Sequence, residues 1–255
     1  MKIRIITAAI TIPLFLFIIY LAGIYLKILL LIFSLLALFE LFKIIKPQIN
    51  YFLKVITFIS AAIIIFFNTE QIYLLILCLL FFIMVFEVNK ENIVFSAAII
   101  TFMIIYSTIG FFYFYKFRVN YGFSLLLLLL TDIWVCDTAA YFFGIKFGKH
   151  KLAPQISPKK SIEGFLAGFI FAFIYAFFFH LFFNKFYSFS LFQIFIIPLI
   201  VGIFGQIGDL FESLIKRSAD IKDSGKILPG HGGILDRFDS LIFSLPLIYI
   251  IFSYF

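Results

Sequence analysis

Charge is scarce in this chain, and a water-soluble fold is the first thing that scarcity excludes. Only 13% of its 255 residues are charged against 64% hydrophobic, and mean hydropathy is +1.18, far from the range of a soluble globular domain. Cysteine is nearly missing too. Cys78 and Cys136 both fall inside apolar runs with no metal-like spacing, so neither a disulfide framework nor a zinc site is indicated, and both read as small buried residues. Alternating stretches of barrel type are absent. So are GxxxxGK[ST], a GxGxxG following a strand, GxSxG and HExxH, which leaves a P-loop, a dinucleotide fold, a serine hydrolase and a zinc protease without support.

What fills the chain instead is apolar sequence in runs of about 20 residues, the length that crosses a hydrocarbon core as a helix. Nine spans are expected, near 5–22, 25–43, 51–68, 71–88, 93–115, 121–143, 162–184, 189–215 and 235–254. The amino-terminal MKIRIITAAITIPLFLFIIYLAG has the basic start and apolar run of a signal peptide. It lacks a polar, small-residue cleavage region before the next span, so a retained first helix is expected. With the amino terminus inside, 16 of the 20 Lys and Arg residues fall on the cytoplasmic side, and Lys27, Lys116, Arg118 and Lys185 fall outside. The positive-inside bias therefore favours that orientation. The expected fold is all-α: a polytopic integral membrane protein of about nine helices with a cytoplasmic amino terminus. Residues 1–120 would form amino-terminal membrane helices and 121–255 a catalytic region with cytoplasmic polar loops, within one integrated membrane domain. The 41 Phe residues suit lipid contact and carry no function in this reading.

Polar sequence is concentrated in the second half. Asp132 and Asp137 interrupt TDIWVCDTAAYFFG, which otherwise reads as a membrane helix. Carboxylates at that depth are expensive and mark function by default, the alternative being acids wetted at a helix end. Asp137 and Tyr141 share a helix face. The next connection, GIKFGKHKLAPQISPKKSIEG, holds Lys149, Ser157, Lys160 and Glu163, and Ser161 is placed to cap the following helix. Such a basic loop at a helix amino terminus can bind phosphate, or simply set topology and attract anionic lipid.

A third cluster begins inside the span ending GIFGQIGDLFESLIKR, where Asp209, Glu212, Ser213, Lys216 and Arg217 form one polar stripe. Glu212 and Lys216 have the spacing of a helix salt bridge. Asp209 has no similarly placed base, which makes a metal ion its more interesting counter-charge. Gly202, Gly205 and Gly208 recur every third residue and would let another helix or a headgroup approach closely. The chain then supplies Lys222, Asp223, Lys226, a Pro229-Gly230 turn, His231, Gly232, Gly233, Asp236, Arg237 and Asp239. Carboxylates for Mg²⁺, cations for phosphate and glycines for close approach suit a metal-bound nucleotide. With one His nearby, zinc is not favoured.

From Ser213 to Asp239, SLIKRSADIKDSGKILPGHGGILDRFD closely resembles the signature of the phosphatidate cytidylyltransferase (CDP-diacylglycerol synthase) family: a serine, then KR, KD, and HGG followed by DR and a final D. The upstream DTAAYFFGIKFGKHKLAPQISPKKSIEG is similar to that family's other polar segment. The resemblance implies transfer of a cytidylyl group from CTP to phosphatidate, giving CDP-diacylglycerol and pyrophosphate. It also implies Mg²⁺, with K⁺ as a possible companion, a homodimer, and a membrane-embedded polar cavity in the cytoplasmic membrane that CTP enters from the cytoplasm. No nucleic-acid partner is implied. By similarity Asp209 and Asp236 are the expected metal ligands. Lys216, Arg217, Asp223, His231 and Arg237 join them as catalytic residues. Asp137, Tyr141, Lys149, Ser157, Lys160, Glu163, Ser213, Lys222, Gly232, Gly233 and Asp239 are expected to bind substrate. Two other readings stay open. A CTP-dependent prenol kinase would move the γ-phosphoryl group instead, and a secondary transporter would use the intramembrane acids, although no internal repeat is evident.

Overall fold

The fold comes from a computed structural model that describes residues 2–47, 51–87, 93–183, 189–227, 230 and 232–254, without the side chains of 2–6, 79–87 and 93–94. Its helices, in chain order, are α1 (Lys2–Leu21), α2 (Gly23–Ile45), α3 (Tyr51–Phe67), α4 (Glu70–Glu87), α5 (Ile93–Phe147), α6 (Ile162–Phe183), α7 (Leu191–Ile200), α8 (Gln206–Arg217) and α9 (Leu235–Tyr254). A π-helical turn, Val201–Gly205, joins α7 to α8, and a hairpin of β1 (Lys151–Ala153) and β2 (Ser157–Ser161) precedes α6.

Six of these helices, α1 to α4, α6 and α9, fall within about three residues of expected spans, and the differences lie in the other three. The expected spans 93–115 and 121–143 fall within α5, which consists of two helical stretches that meet where Gly122 takes φ 85° and ψ 176°, a conformation essentially reserved for glycine. The expected span 189–215 is instead divided among α7, the π turn and α8. Ser190 starts it with a reciprocal cap: Gln193 N donates to Ser190 Oγ (3.2 Å), and Ser190 N donates to Gln193 Oε1 (3.1 Å). The basic loop after α5 forms the hairpin, pairing Lys151 with Ser161 and Ala153 with Ser157. Four described stretches are long and apolar enough to cross a membrane: Gly23–Ile45, Phe95–Phe147, Ile162–Phe183 and Leu191–Arg217. Thr7–Leu21 and Tyr51–Phe67 are shorter apolar helices. The protein is thus an all-α membrane protein, with one small hairpin among the described residues.

The chain divides into two compact units. The first comprises residues up to Lys116 together with Asp223–Asp236. Its α1, α2, α3 and α4 pack in sequence, and α2 buries Leu26, Leu30, Leu38 and Leu41 completely. Phe15, Phe33, Phe111 and Phe114 form a run of tilted ring contacts with centroids 6.0 to 6.2 Å apart, a favourable aromatic geometry. Polar pins tie α5 to its neighbours there. Asn68 Nδ2 donates to the Phe112 carbonyl (3.1 Å), Tyr73 and Thr108 share a hydroxyl bond (3.0 Å), and Lys116 pairs with Glu70 (2.7 Å).

The second unit holds Phe117–Lys222 and Arg237–Phe255. Here α6 turns small residues inward, burying Gly164, Ala167, Gly168, Ala172 and Ala176, while Leu166, Ile170, Ile174 and Phe178 are exposed. Small residues inside and large ones outside is the pattern of a helix that packs tightly against helices and faces lipid. Gly164 and Gly168 lie so close to α5 that an added methyl would sit 2.6 Å from the Ala140 carbonyl and 2.9 Å from the Cys136 carbonyl, respectively. The expected glycine approach is also present. Gly202 packs on Phe169 of α6, and Gly208 on the Asp239 carbonyl and Phe243 of α9. Tyr175 Oη donates to Thr131 Oγ1 (2.8 Å), and Gln206 Nε2 donates to the carbonyls of Phe165 (3.0 Å) and Gly202 (2.7 Å). These bonds satisfy polar groups that hydrocarbon would leave unpaired.

Candidate functional site

The hairpin owes its position to the start of α6. Gly164 N donates to Ser161 Oγ (3.1 Å), so Ser161 is the expected cap. Glu163, one residue into the helix, accepts from the backbone N–H groups of Lys149 (3.1 Å) and His150 (3.2 Å) and contacts His150 Nδ1 (2.7 Å). Glu163 therefore holds the loop in place, which is the bond the structure gives it. At the other end of the hairpin, Arg217 Nε donates to the Ile156 carbonyl (3.3 Å) and Nη1 to the Ile221 carbonyl (3.2 Å), tying the turn to the end of α8. Ser157 is half-buried at the start of β2, and Lys149 is exposed.

Shaped this way, β2 delivers Lys160 to α8, where Nζ lies 2.6 Å from Asp209 Oδ2. This corrects one sequence inference. Asp209 lacks a base on its own helix, but the hairpin supplies one from a strand 49 positions upstream. Around that pair the second unit gathers its acids. Asp137 interacts electrostatically with Asp209, Lys160 and Arg237, and Asp239 with Asp209, Glu212 and Asp137. Glu212 is 1% exposed and pairs with Lys216 one turn on, as its spacing predicts. Ser213 is half-buried, while Asp137, Tyr141, Lys222 and Arg237 are exposed. Four carboxylates drawn together repel one another unless cations join them. Lys160, Lys216 and Arg237 supply part of that charge and leave room for more. Among the described residues no three Asp, Glu, His or Cys side chains form a ready-made ion site. The donors are nonetheless all hard carboxylate oxygens, the set Mg²⁺ takes.

Asp132 stands apart from this group. It is fully buried on α5, beside Cys136 and Tyr175, and neither carboxylate oxygen has a hydrogen-bond partner among the described residues.

The remaining signature residues, Asp223 to Asp236, belong to the first unit. Asp236 Oδ2 accepts from Ser224 N (2.9 Å), Ser224 Oγ (3.0 Å) and Gly233 N (2.8 Å), so its carboxylate closes the loop that precedes α9. Gly232 has φ 85°, and a methyl there would lie 2.5 Å from Asp236 Oδ2. Both its backbone and its missing side chain are required. Asp223 is exposed. His231 and Pro229, with Lys90 and Lys185 elsewhere, lie outside the described residues.

One residue that sequence reasoning passed over completes this loop. Glu40, on α2 and 1% exposed, accepts from Ser224 Oγ (2.8 Å), Ile234 N (2.9 Å) and Leu235 N (3.0 Å). Its signal was present in the sequence: a lone acid within an otherwise apolar span.

A helical membrane protein with basic hairpin, acidic cluster and glycine-rich loop defines a class, an enzyme that handles phosphorylated groups at a bilayer. The chain belongs to the cytidylyltransferase family, whose sequence profile matches residues 2–255. A phosphatidate cytidylyltransferase of Staphylococcus epidermidis is 37% identical over 262 aligned positions, covering 98% of each chain. Phosphatidate cytidylyltransferases of Staphylococcus haemolyticus and Staphylococcus saprophyticus are 43% and 44% identical over 156 positions, which are 61% of this chain and 59% of each of those proteins.

Proposed function

We propose that the protein transfers a cytidylyl group from CTP to phosphatidate, yielding CDP-diacylglycerol and pyrophosphate for phospholipid synthesis, in a Mg²⁺-dependent reaction. The observation that carries this reading is the unbroken charged signature from Ser213 to Asp239 in a chain of the cytidylyltransferase family. A phosphate oxygen of phosphatidate forms a bond to the α-phosphorus of CTP. The bridging oxygen between the α- and β-phosphates keeps the electron pair of the bond that breaks and leaves with pyrophosphate. Two anions must meet, so alignment and charge neutralisation matter more than covalent catalysis.

Lys160, Lys216, Arg217, Lys222 and Arg237 neutralise phosphate in this account, with Lys149 and His231 as further donors. Asp209 and Asp236 are assigned as metal ligands by resemblance and by their donor chemistry. When bound, Mg²⁺ supplies Lewis-acid polarisation of phosphoryl oxygens. Asp137, Glu212 and Asp239 set the negative field that recruits the cation, and K⁺ is assigned as a companion ion. Gly232 and Gly233 leave the backbone open to close approach, with Tyr141, Ser157, Glu163, Ser213 and Asp223 completing the substrate contacts. Phosphatidate keeps its acyl chains in the bilayer while its headgroup reaches the polar residues, and CTP arrives from the cytoplasmic face of the inner membrane. A homodimer is part of the same proposal. Purified protein given CTP, phosphatidate and Mg²⁺ is the test: Asp209→Ala and Asp236→Ala should each abolish turnover while membrane insertion is retained. Near-normal activity in either variant removes that residue from the metal site.

A further inference from the structure

We infer that Glu40 is a positioning residue for turnover: from α2 it clamps the glycine-rich loop of the signature and, through Ser224, fixes the carboxylate of Asp236. Three bonds support the clamp. Glu40 Oε1 takes the N–H of Ile234, and Oε2 takes the N–H of Leu235 and the hydroxyl of Ser224. Ile234 and Leu235 open α9, so Glu40 receives donors that a helix start leaves without partners, and an anion is favoured there by the helix dipole. Burial of a carboxylate in an apolar helix is otherwise costly.

The Ser224 hydroxyl links the two acids. It lies 2.8 Å from Glu40 Oε2 and 3.0 Å from Asp236 Oδ2. A hydroxyl carries one hydrogen, so the two carboxylates share a single donor and the place of one depends on the other. The glycines are cut to fit: a methyl on Gly225 would lie 2.5 Å from Glu40 Oε1, and one on Gly233 would collide with Ser224 Oγ and both Glu40 oxygens. A segment that exists only to connect helices needs no buried carboxylate from elsewhere to shape it. One whose Asp236 must be held still does.

The role in turnover rests on the cytidylyl-transfer reading, whereas the clamp does not, and the experiment separates them. Full-length protein in nanodiscs is assayed with CTP and phosphatidate, and amide hydrogen exchange is followed in the same preparations. Glu40→Ala should lower kcat at least about tenfold with little change in KM for phosphatidate, and should speed exchange at Ile234 and Leu235 about tenfold while α6 is unchanged. Glu40→Gln, which keeps one carbonyl acceptor, should fall between Glu40→Ala and wild type in both readouts. Should Glu40→Ala fail to fold, Glu40→Gln and Ser224→Ala decide. Ser224→Ala removes only the bridging hydroxyl and should lower kcat with α2 undisturbed. Wild-type kcat in Glu40→Gln and Ser224→Ala would overturn the positioning role, and unchanged exchange at 234–235 in Glu40→Gln would overturn the clamp. A wild-type protein with no activity would sink the reaction and the role in turnover together, leaving the exchange rates to decide the clamp.

Discussion

Gly233→Ala should be among the most damaging single-methyl additions in the chain, for a reason unrelated to backbone conformation. Gly233 is not among the glycines with positive φ, so an alanine there has no backbone strain to bear. Its methyl would instead occupy space taken by Ser224 Oγ and the Glu40 carboxylate. Ser224 can rotate away, at the cost of its bonds to Glu40 and Asp236. Glu40 can retreat only by releasing the N–H groups of Ile234 and Leu235, residues 2% and 1% exposed. An orphaned buried donor costs about 1–3 kcal/mol, so two cost about 2–6 kcal/mol. Thermal unfolding in nanodiscs should register this as a fall of at least about 4 °C. The decisive comparison is a double-mutant cycle. In a Glu40→Ala background the methyl has room, so Gly233→Ala should lose most of its effect, with a coupling of about 1 kcal/mol or more between the sites. Additive losses, or Gly233→Ala at wild-type stability, would refute the steric argument.

Two further substitutions separate stability from chemistry. Lys160→Ala breaks the pair with Asp209, but both side chains are partly exposed, 26% and 34%. Its effect on unfolding should stay within about 1 kcal/mol, while activity falls at least about tenfold because the acidic cluster loses a cation. A large stability loss with full activity would contradict that division. Lys216→Met should do the opposite to stability: it takes the ion-pair partner Lys216 from Glu212, which is 1% exposed, and should cost about 3–5 kcal/mol. Adding Glu212→Leu should recover at least half of that loss, and a double variant no more stable than Lys216→Met would show that the pair is not what is being broken.

Much of the fold was legible because hydropathy and helix length are local properties. The apolar runs behind α2, α6 and the α7–α8 rod are visible in any window of the sequence, and the Ser161 cap and the Glu212–Lys216 pair follow from spacing alone. The break between two expected spans was placed at Lys116, Arg118 and Asn120, which resemble a connection, and the structure puts it a few residues on, at the non-helical Gly122. Lys160 finding Asp209, and Glu40 finding Ser224 and the start of α9, are contacts between residues 49 and 184 or more positions apart. No periodicity encodes them. They also change the case for a metal. Asp209 was expected to need a cation because its own helix shows no base, and Asp236 was expected to hold the metal by resemblance, yet one has Lys160 and the other has three donors from its own loop. The assignment of Mg²⁺ now rests on the family signature and on oxygen-donor chemistry rather than on unpaired charge.

The central claim is that the protein moves the α-phosphoryl group of CTP, with its nucleoside, onto a lipid phosphate. The most direct measurement incubates purified protein with phosphatidate, Mg²⁺ and CTP labelled at either the α- or the γ-phosphate, then analyses the lipid and aqueous products. The α-label should enter the lipid as CDP-diacylglycerol, the γ-label should appear in pyrophosphate, and both should require Mg²⁺. Transfer of the γ-label to a lipid alcohol with release of CDP, or a folded preparation that forms no lipid-linked CMP, would contradict the account.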